Sequence, residues 1–325
     1  MGGALLEGRV AVVTGAGRGL GRAHALALAA AGARVVVNDI GTSLEGAGRS
    51  DSPANDVVAE IRAAGGEAAA SFESVVDHAG ARRMVEQALE EFGRLDIVVN
   101  NAGIVKQTPI DQLDEDEFDR TIAVHLKGAF NLCRHAVPHM KSQRHGRIIN
   151  TASSQWRAPM GMPAYAAAKG GVVSLTWDLA WELKDFGITA NAIAPFAMTR
   201  MTGGDDVRGQ AVKGQAVKVS SQGEERTDAA FVSPLVVYLA SDHAARVNGC
   251  VFRVGAGKVA KFSHPMEEAA LSRDHRIHGP WTVEELAAQL PDTVFASSWS
   301  APHVTQAPAS GWTAPTGDAS TSGDS

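Results

Sequence analysis

The sequence predicts an α/β fold: a doubly wound parallel sheet carried by one domain, with a lid segment and a flexible C-terminal tail. Three observations predict it. Short, continuously apolar runs such as RVAVVT and LDIVVN recur along the chain, as expected for strands buried on both faces. Helix-patterned stretches separate them, the alternation that gives a parallel sheet with helices on either side. The unusual glycine-rich and polar loops all leave from the carboxyl ends of the apolar runs, where such sheets bind ligands.

Taken in order, RVAVVT (9–14) is the first strand, and the loop GAGRGLG leads into an alanine-rich helix closed by Gly32. RVVVND (34–39) is the second strand; a glycine-rich loop to about Pro53 precedes the helix NDVVAEIRAAGG. A short strand at EAAAS (67–71) precedes the helix ARRMVEQALEEFG, and LDIVVN (95–100) follows as a further buried strand. One helix is expected around FDRTIAVHLKGAFNLCRHAVPHMK, then the strand GRIINTA and a helix from about 163 to 186. The strand ITANAIAP (188–195) is followed by a polar, glycine-rich segment to about 223, the helix FVSPLVVYLAS and the strand GCVFRVG. These parts make a domain over 1–263. Residues 264–299 read as an extension with one short helix, for which Thr282 ahead of VEEL is a plausible N-cap. The Ser-, Thr-, Ala- and Pro-rich stretch 300–325 reads as a disordered tail.

With 45% hydrophobic residues the chain can bury a sizeable core, and its formal charge of −6 offers no basic field for nucleic acid. No apolar run reaches the length of a membrane span, and the first strand begins too early to leave room for a signal peptide. The two cysteines, Cys133 and Cys250, form neither a metal motif nor a disulfide framework, and in their apolar surroundings both read as core thiols. A reducing, cytoplasmic setting is the expectation, with no metal.

Gly15, Gly17, Gly19 and Gly21 follow the first strand; Leu20 breaks the common G-x-G-x-x-G spacing, and the run fits T-G-x-x-x-G-x-G from Thr14. Glycines there let backbone N–H groups and the positive end of the next helix approach a pyrophosphate. Asp39 ends the second strand, where a carboxylate accepts both ribose hydroxyls and repels a 2′-phosphate. NAD is therefore expected over NADP, although Arg18 in the loop is able to pair with a phosphate. The plain alternatives are a ligand-free strand–helix turn and a solvated aspartate.

Tyr165 and Lys169 stand four apart on a predicted helix, and so share a face. A phenol with its usual pKa of about 10 is a poor base at neutral pH, and a neighbouring ammonium favours its ionised form. Ser153 and Ser154, just past the preceding strand, place a hydroxyl near the same spot. Together these supply a donor, a base and a cation around one substrate oxygen; alone, the tyrosine–lysine spacing would be ordinary helix surface.

In combination, TGAGRGLG (14–21), NNAG (100–103), the serine pair 153–154 and YAAAK (165–169) resemble the short-chain dehydrogenases/reductases of the classical type, over residues 8–258. VVVNDIG, VHLKGAF, GRII, IAP..MTRMT and NGCVFRVGAGKVAKF further resemble the (3R)-hydroxyacyl-CoA dehydrogenase unit of peroxisomal multifunctional enzymes, the 17β-hydroxysteroid dehydrogenase type 4 group. The resemblance implies a Rossmann-like sheet and interconversion of a secondary alcohol and a ketone, with a CoA ester as substrate. It implies catalysis by Tyr165, Lys169 and Ser153, with Ser154 as the fallback because the usual serine spacing falls on Ala152. Where many members carry an asparagine holding a relay water, this chain has His125; a backbone carbonyl or the imidazole itself would then anchor that water. The nucleotide would be lined by Thr14, Gly15, Arg18, Gly19, Leu20, Gly21, Asp39, Asn101, Ala102, Gly103 and Pro195, with Tyr165 and Lys169.

The segment from Phe196 to about Gly223 would be the lid, and Trp156, Met160 and Met162 either wall the substrate or pack their own loop. Lys213 and Lys218 are candidates to meet CoA phosphates. SGDS at the end is no peroxisomal address. The resemblance also implies a homodimer or homotetramer through the helices carrying HLKGAFNLC and the Tyr–Lys pair. An NADPH-dependent 3-oxoacyl reductase, a free hydroxysteroid dehydrogenase and a non-enzymatic dinucleotide-sensing scaffold remain as alternatives.

Overall fold

The computed structural model describes residues 4–43, 47–157, 161–197, 228–267 and 269–294. Most of the expected lid, including Lys213 and Lys218, lies outside them, as do Met160 and the tail 300–325. The strands are β1 (Val10–Thr14), β2 (Arg34–Asn38), β3 (Ala68–Ser71), β4 (Ile97–Asn100), β5 (Gly146–Thr151), β6 (Ile188–Pro195), β7 (Val251–Gly255) and β8 (Lys258–Lys261). They form one sheet in the order β3-β2-β1-β4-β5-β6-β7-β8. The pairings through β7 are parallel, and β8 runs antiparallel to β7. The chain divides into a unit of Met1–His264 and a second of Pro265–Ser325.

The side-chain period of two sends alternate strand residues to opposite faces. Ala11 and Val13 of β1 pack with α1 (Gly19–Ala30), α2 (Ser52–Ala63) and α7 (Ser233–Ala240), through Leu28, Ile61 and Leu239. Val10 and Val12 pack with α3 (His78–Phe92), α5 (Gly128–Gln143) and α6 (Pro163–Leu183), through Met84, Leu132 and Leu183. Two apolar layers thus clamp the sheet. With strands buried on both faces, the free ends of the parallel strands are where polar groups concentrate.

The structure departs from the sequence expectation at three places. The single helix expected around residues 118–141 is interrupted: α4 (Glu115–Ile122) passes through a π-helical turn, Ala123–Lys127, before α5 begins. Such turns displace one side chain from the regular helix pattern and recur at functional sites; here that side chain belongs to the stretch containing His125. Strand β8 was not expected. Ala256 (φ 48°) and Gly257 (φ 73°) both lie in the left-handed region, as a two-residue hairpin turn with the twist of its strands requires. Cys133 is buried in the core, whereas Cys250 is only half-buried.

In the second unit, α8 (His275–His278) precedes α9 (Val283–Gln289). The latter opens with a capping box: the Thr282 hydroxyl accepts from the Glu285 N–H, and the Glu285 carboxylate accepts from the Thr282 N–H at 2.8 Å. Arg273 pairs with Glu285 at 2.9 Å and stacks over Trp281.

Candidate active site

Strand order reverses between β1 and β4, and the loops leaving these two strands diverge there to open a crevice. Thr14 and Asn101 hold its two sides together. The Thr14 hydroxyl accepts the N–H groups of Asn101 (3.0 Å) and Ala102 (3.1 Å), while the Asn101 side-chain amide donates to the carbonyls of Thr14 (3.0 Å) and Gly15 (3.1 Å). A Cβ on Gly21 would collide with the Gly15 carbonyl oxygen and come within 2.5 Å of Asn101 Nδ2. Gly15 (φ 61°) and Gly19 (φ 52°) adopt left-handed backbone. Leu20 is packed against the core, which anchors the first turn of α1.

That first turn has no side-chain cap and no acidic residue. The N–H groups at the start of α1 are therefore left for an anion. On β2's side, Asp39 accepts from the N–H groups of Gly17 (2.8 Å) and Gly41 (2.6 Å). A carboxylate has about four acceptor positions, so the orientation is fixed and capacity remains for two hydroxyls. A nucleotide's pyrophosphate and ribose fit this cradle. Gly103 continues the loop from β4, and Pro195 closes β6.

Past β5, Ser153 is the N-cap of a short 3-10 turn, Ser154–Trp156. The hydroxyl that meets Tyr165 belongs to Ser153; Ser154 is the half-buried first residue of the turn. Tyr165 and Lys169 lie one turn apart on α6, with Lys169 Nζ 5.5 Å from the phenol ring centroid. Lys169 is buried, and its ammonium donates to the Thr151 carbonyl at 2.6 Å. Burial dominates both groups. It pushes the Tyr165 phenol up to about 12, partly offset by the Ser153 hydrogen bond, and brings Lys169 down to about 7. The sequence expectation that the ammonium would favour the phenolate is thus outweighed by desolvation in this arrangement.

His125 sits edge-on to Tyr165, with ring centroids 5.1 Å apart. Its Nε2 lies 2.7 Å from the Ile104 carbonyl oxygen and 3.2 Å from the Ile104 N–H. The shorter contact favours Nε2–H donating to the carbonyl, which leaves Nδ1 as an acceptor. Nδ1 and the Thr151 hydroxyl are both buried without a hydrogen-bond partner among the described residues. Burial first, then the charge of Lys169, holds His125 neutral. His125, Lys169, Thr151 and Asn100 line a cavity with about 10 Å³ of water-sized space, room for about one water with polar partners around it.

Sequence reasoning missed the buried network behind these groups. Asn100 donates to Asn150 (2.8 Å), Asn150 donates to Thr176 (2.9 Å), and Thr176 donates to the Val172 carbonyl (2.7 Å). The chain ties β4 to β5 and to α6, and so fixes the height of the Tyr–Lys helix against the sheet. Its signal was legible: a lone asparagine near the end of an otherwise apolar strand must find a partner. Trp156 meets Trp177 and Phe262 edge to face, and Met162 is buried at the N-cap of α6. Among the described residues no cluster suits a metal ion, and no helix is long and apolar enough to cross a membrane.

A glycine cradle at the β1–β4 crevice, with a half-buried tyrosine and a buried lysine paired one strand further on, defines a class of nucleotide-dependent alcohol–ketone enzymes. The chain belongs to the short-chain dehydrogenase family, whose profile matches residues 9–208, and it is an oxidoreductase acting on CH–OH groups. Members of this family bind a nicotinamide dinucleotide.

Among its relatives, the hydroxyacyl-CoA dehydrogenase ChsB1 of Mycobacterium tuberculosis is 40% identical over 299 residues, covering 88% of this chain and 89% of that protein. The peroxisomal hydratase-dehydrogenase-epimerase of Neurospora crassa is 37% identical over 88% of this chain, which spans only 30% of that longer protein. A crystal structure of a short chain dehydrogenase from Mycobacterium avium superposes with a TM-score of 0.74 at 41% identity, covering 89% of this chain and 95% of that one.

Proposed function

We propose that the protein is an NAD-dependent dehydrogenase that interconverts a (3R)-hydroxyacyl-CoA, or another bulky CoA ester bearing a secondary alcohol, with its ketone. The observation that carries this reading is the Ser153–Tyr165–Lys169 constellation, with a phenol hydrogen-bonded to a serine and one turn from a buried lysine. A bound nicotinamide supplies the hydride acceptor or donor. Thr14, Gly15, Arg18, Gly19, Leu20, Gly21, Asn101, Ala102, Gly103 and Pro195 line its nucleotide, and Asp39 receives the ribose hydroxyls. Asp39 favours NAD because a 2′-phosphate beside its carboxylate would be repelled.

In this mechanism Ser153 holds the substrate oxygen, and Tyr165 exchanges a proton with it. Lys169 passes that proton toward the small cavity, which has room for about one water to carry it on, and the Thr151 hydroxyl and His125 Nδ1 accept hydrogen bonds there without keeping the proton. The CoA ester is supported by the names of the relatives, among them a hydroxyacyl-CoA dehydrogenase. Exposed Phe130 of α5 and Trp181 of α6 support assembly as a homodimer or homotetramer through those helices. The two free cysteines support a reducing, cytoplasmic setting.

The test is a panel of 3-hydroxyacyl-CoA, free hydroxysteroid and small alcohols, each with NAD and NADP, followed by absorbance of the reduced nucleotide. The reading requires the highest kcat/KM for the CoA ester with NAD. A preference for NADP would move it to a 3-oxoacyl reductase, preference for a free steroid to a hydroxysteroid dehydrogenase, and inactivity throughout to a nucleotide-sensing scaffold.

A further inference from the structure

We infer that Asn131 is a positioning residue for the bound dinucleotide: from α5 it fixes the loop between β3 and α3, and so sets Val75 beside the glycine cradle. This role rests on the dinucleotide reading of that cradle, and on neither the substrate nor the choice of NAD over NADP.

Strand β3 ends at Ser71, level with Asn38 of β2, which is itself level with Thr14 of β1. Helix α3 then packs against β1, β2 and α5. The connecting residues 72–77 therefore lie across the carboxyl ends of the strands, where such sheets bind ligands. Two buried asparagines hold this loop by its carbonyls. Asn38 donates to those of Ser71 (3.3 Å) and Glu73 (2.8 Å), and Asn131 donates to those of Val75 (2.8 Å) and Val76 (3.4 Å). One clamp sits on the sheet and the other on α5.

Val75 is what the second clamp brings to the site. It lines the small cavity together with Thr14 and Ala102 of the cradle and with Lys169. Helix α5 is shaped to receive it. A Cβ on Gly128 would come within 2.9 Å of Val75 Cγ2, yet Gly128 has ordinary helical backbone (φ −60°). Glycine there makes room for the valine; no turn requires it. Gly128 and Asn131 are three apart and share a helix face. Packing alone does not account for the asparagine, which is fully buried and whose Oδ1 has no partner among the described residues. An unpaired buried acceptor is costly, and a leucine would fill the place without one. What the amide supplies, and a leucine cannot, is the hold on the two carbonyls at Val75 and Val76.

The experiment titrates NAD and NADP by calorimetry into the wild-type chain, Asn131→Leu, Asn131→Ala, Gly128→Ala, Val75→Ala and the Gly128→Ala/Val75→Ala double variant. Each is held well below its own melting temperature. Both Asn131 variants remove the donor, and in either one that folds the Kd of whichever nucleotide binds should rise roughly three- to thirtyfold. A purely structural asparagine would lower the melting temperature and leave that Kd unchanged, and an unchanged Kd overturns the positioning role. Gly128→Ala keeps Asn131 and crowds Val75 instead. Its methyl should weaken nucleotide binding beside the native valine and have little effect in the Val75→Ala background, where the crowding is gone. Should neither Asn131 variant fold, that cycle decides. An effect of Gly128→Ala confined to the valine background upholds the role, and no effect, or an equal effect in both backgrounds, overturns it. If the wild-type chain binds neither nucleotide, the dinucleotide reading itself fails and the role falls with it.

Discussion

Replacing Thr14 by valine keeps the shape of the side chain and removes one oxygen, so it isolates what holds the glycine loop to the strand beside it. Thr14 is 1% exposed, and its hydroxyl accepts the N–H groups of both Asn101 and Ala102. Valine leaves both donors facing a methyl group. Each buried, unsatisfied donor costs about 1–3 kcal/mol; because Asn101 and Ala102 are half-buried, a total of about 2–4 kcal/mol is appropriate. At about 2–4 °C per kcal/mol for a domain of this size, the melting temperature should fall by roughly 4–16 °C. Dinucleotide affinity should weaken too, because Asn101 also holds the Gly15 carbonyl that Gly21 approaches. Circular dichroism melts with and without NAD, together with calorimetric titration, read both effects. Thr14→Ser keeps the oxygen and should recover most of each loss. If Thr14→Val melted within about 1 °C of the wild type and bound NAD equally well, the hydroxyl would not be the clasp described.

Three further outcomes are expected. Tyr165→Phe should retain NAD binding while turnover falls by roughly 10²- to 10⁴-fold, the usual span for a general acid–base group; stopped assays with the best substrate read it, and undiminished turnover would remove Tyr165 from the chemistry. Asp39→Ala should reduce kcat/KM with NAD, narrow the gap to NADP and lower the melting temperature, because the Gly17 and Gly41 N–H groups lose their acceptor; an unchanged cofactor ratio would place the ribose elsewhere. Lys169 sheds its proton at about 7 in the fold and at an ordinary 10.5 when unfolded, so the unfolded chain holds the extra proton between those values, and the cost of burying the charge is full below pH 7 and fades toward pH 10. Lys169→Met should accordingly raise the melting temperature more at pH 6 than at pH 9, and an equal gain at both would contradict the buried ammonium.

Much of this architecture was legible because the sheet is parallel and buried. Strands such as IVVN and GRIINT leave their mark as apolar runs whatever covers them, and the loops between them carry their glycines at positions set by backbone geometry. The glycine cradle, Asp39 and the Tyr–Lys spacing could be read for the same reason: each depends on neighbours close in sequence. What escaped depends on distance. Asn150 meets Asn100 across 50 residues and Thr176 across 26, and no local pattern joins them. The π-helical turn at Ala123–Lys127 is invisible to a helical period, since one extra residue barely disturbs it. Strand β8 could have been found from Ala256-Gly257 between alternating residues, but alanine in a left-handed turn is a weak sign. Desolvation was the other blind spot, because the pKa values of Tyr165 and Lys169 follow from what buries them and not from their spacing.

Burial also explains how three titratable side chains share so small a space. Tyr165 is pushed up to about 12, Lys169 is brought down to about 7, and His125 is held well below its ordinary value. Each shift favours the neutral form, the one a dry pocket tolerates. For Lys169 burial is the cause, and among the described residues no carboxylate offsets it, so the residue costs the fold stability without a compensating ion pair. Thr151 offers it only a carbonyl. A methionine would fill that space at lower cost, which makes lysine there hard to account for as a packing residue. In the proposed mechanism the cost has a use. A lysine poised near neutrality gives up or regains a proton at little expense, and His125 Nδ1 and the Thr151 hydroxyl line the same cavity as hydrogen-bond acceptors. A proton lost by the substrate can then leave Tyr165 through Lys169 without stranding a charge in the interior, because the lysine changes protonation state near neutral pH while the phenol and the imidazole rest neutral.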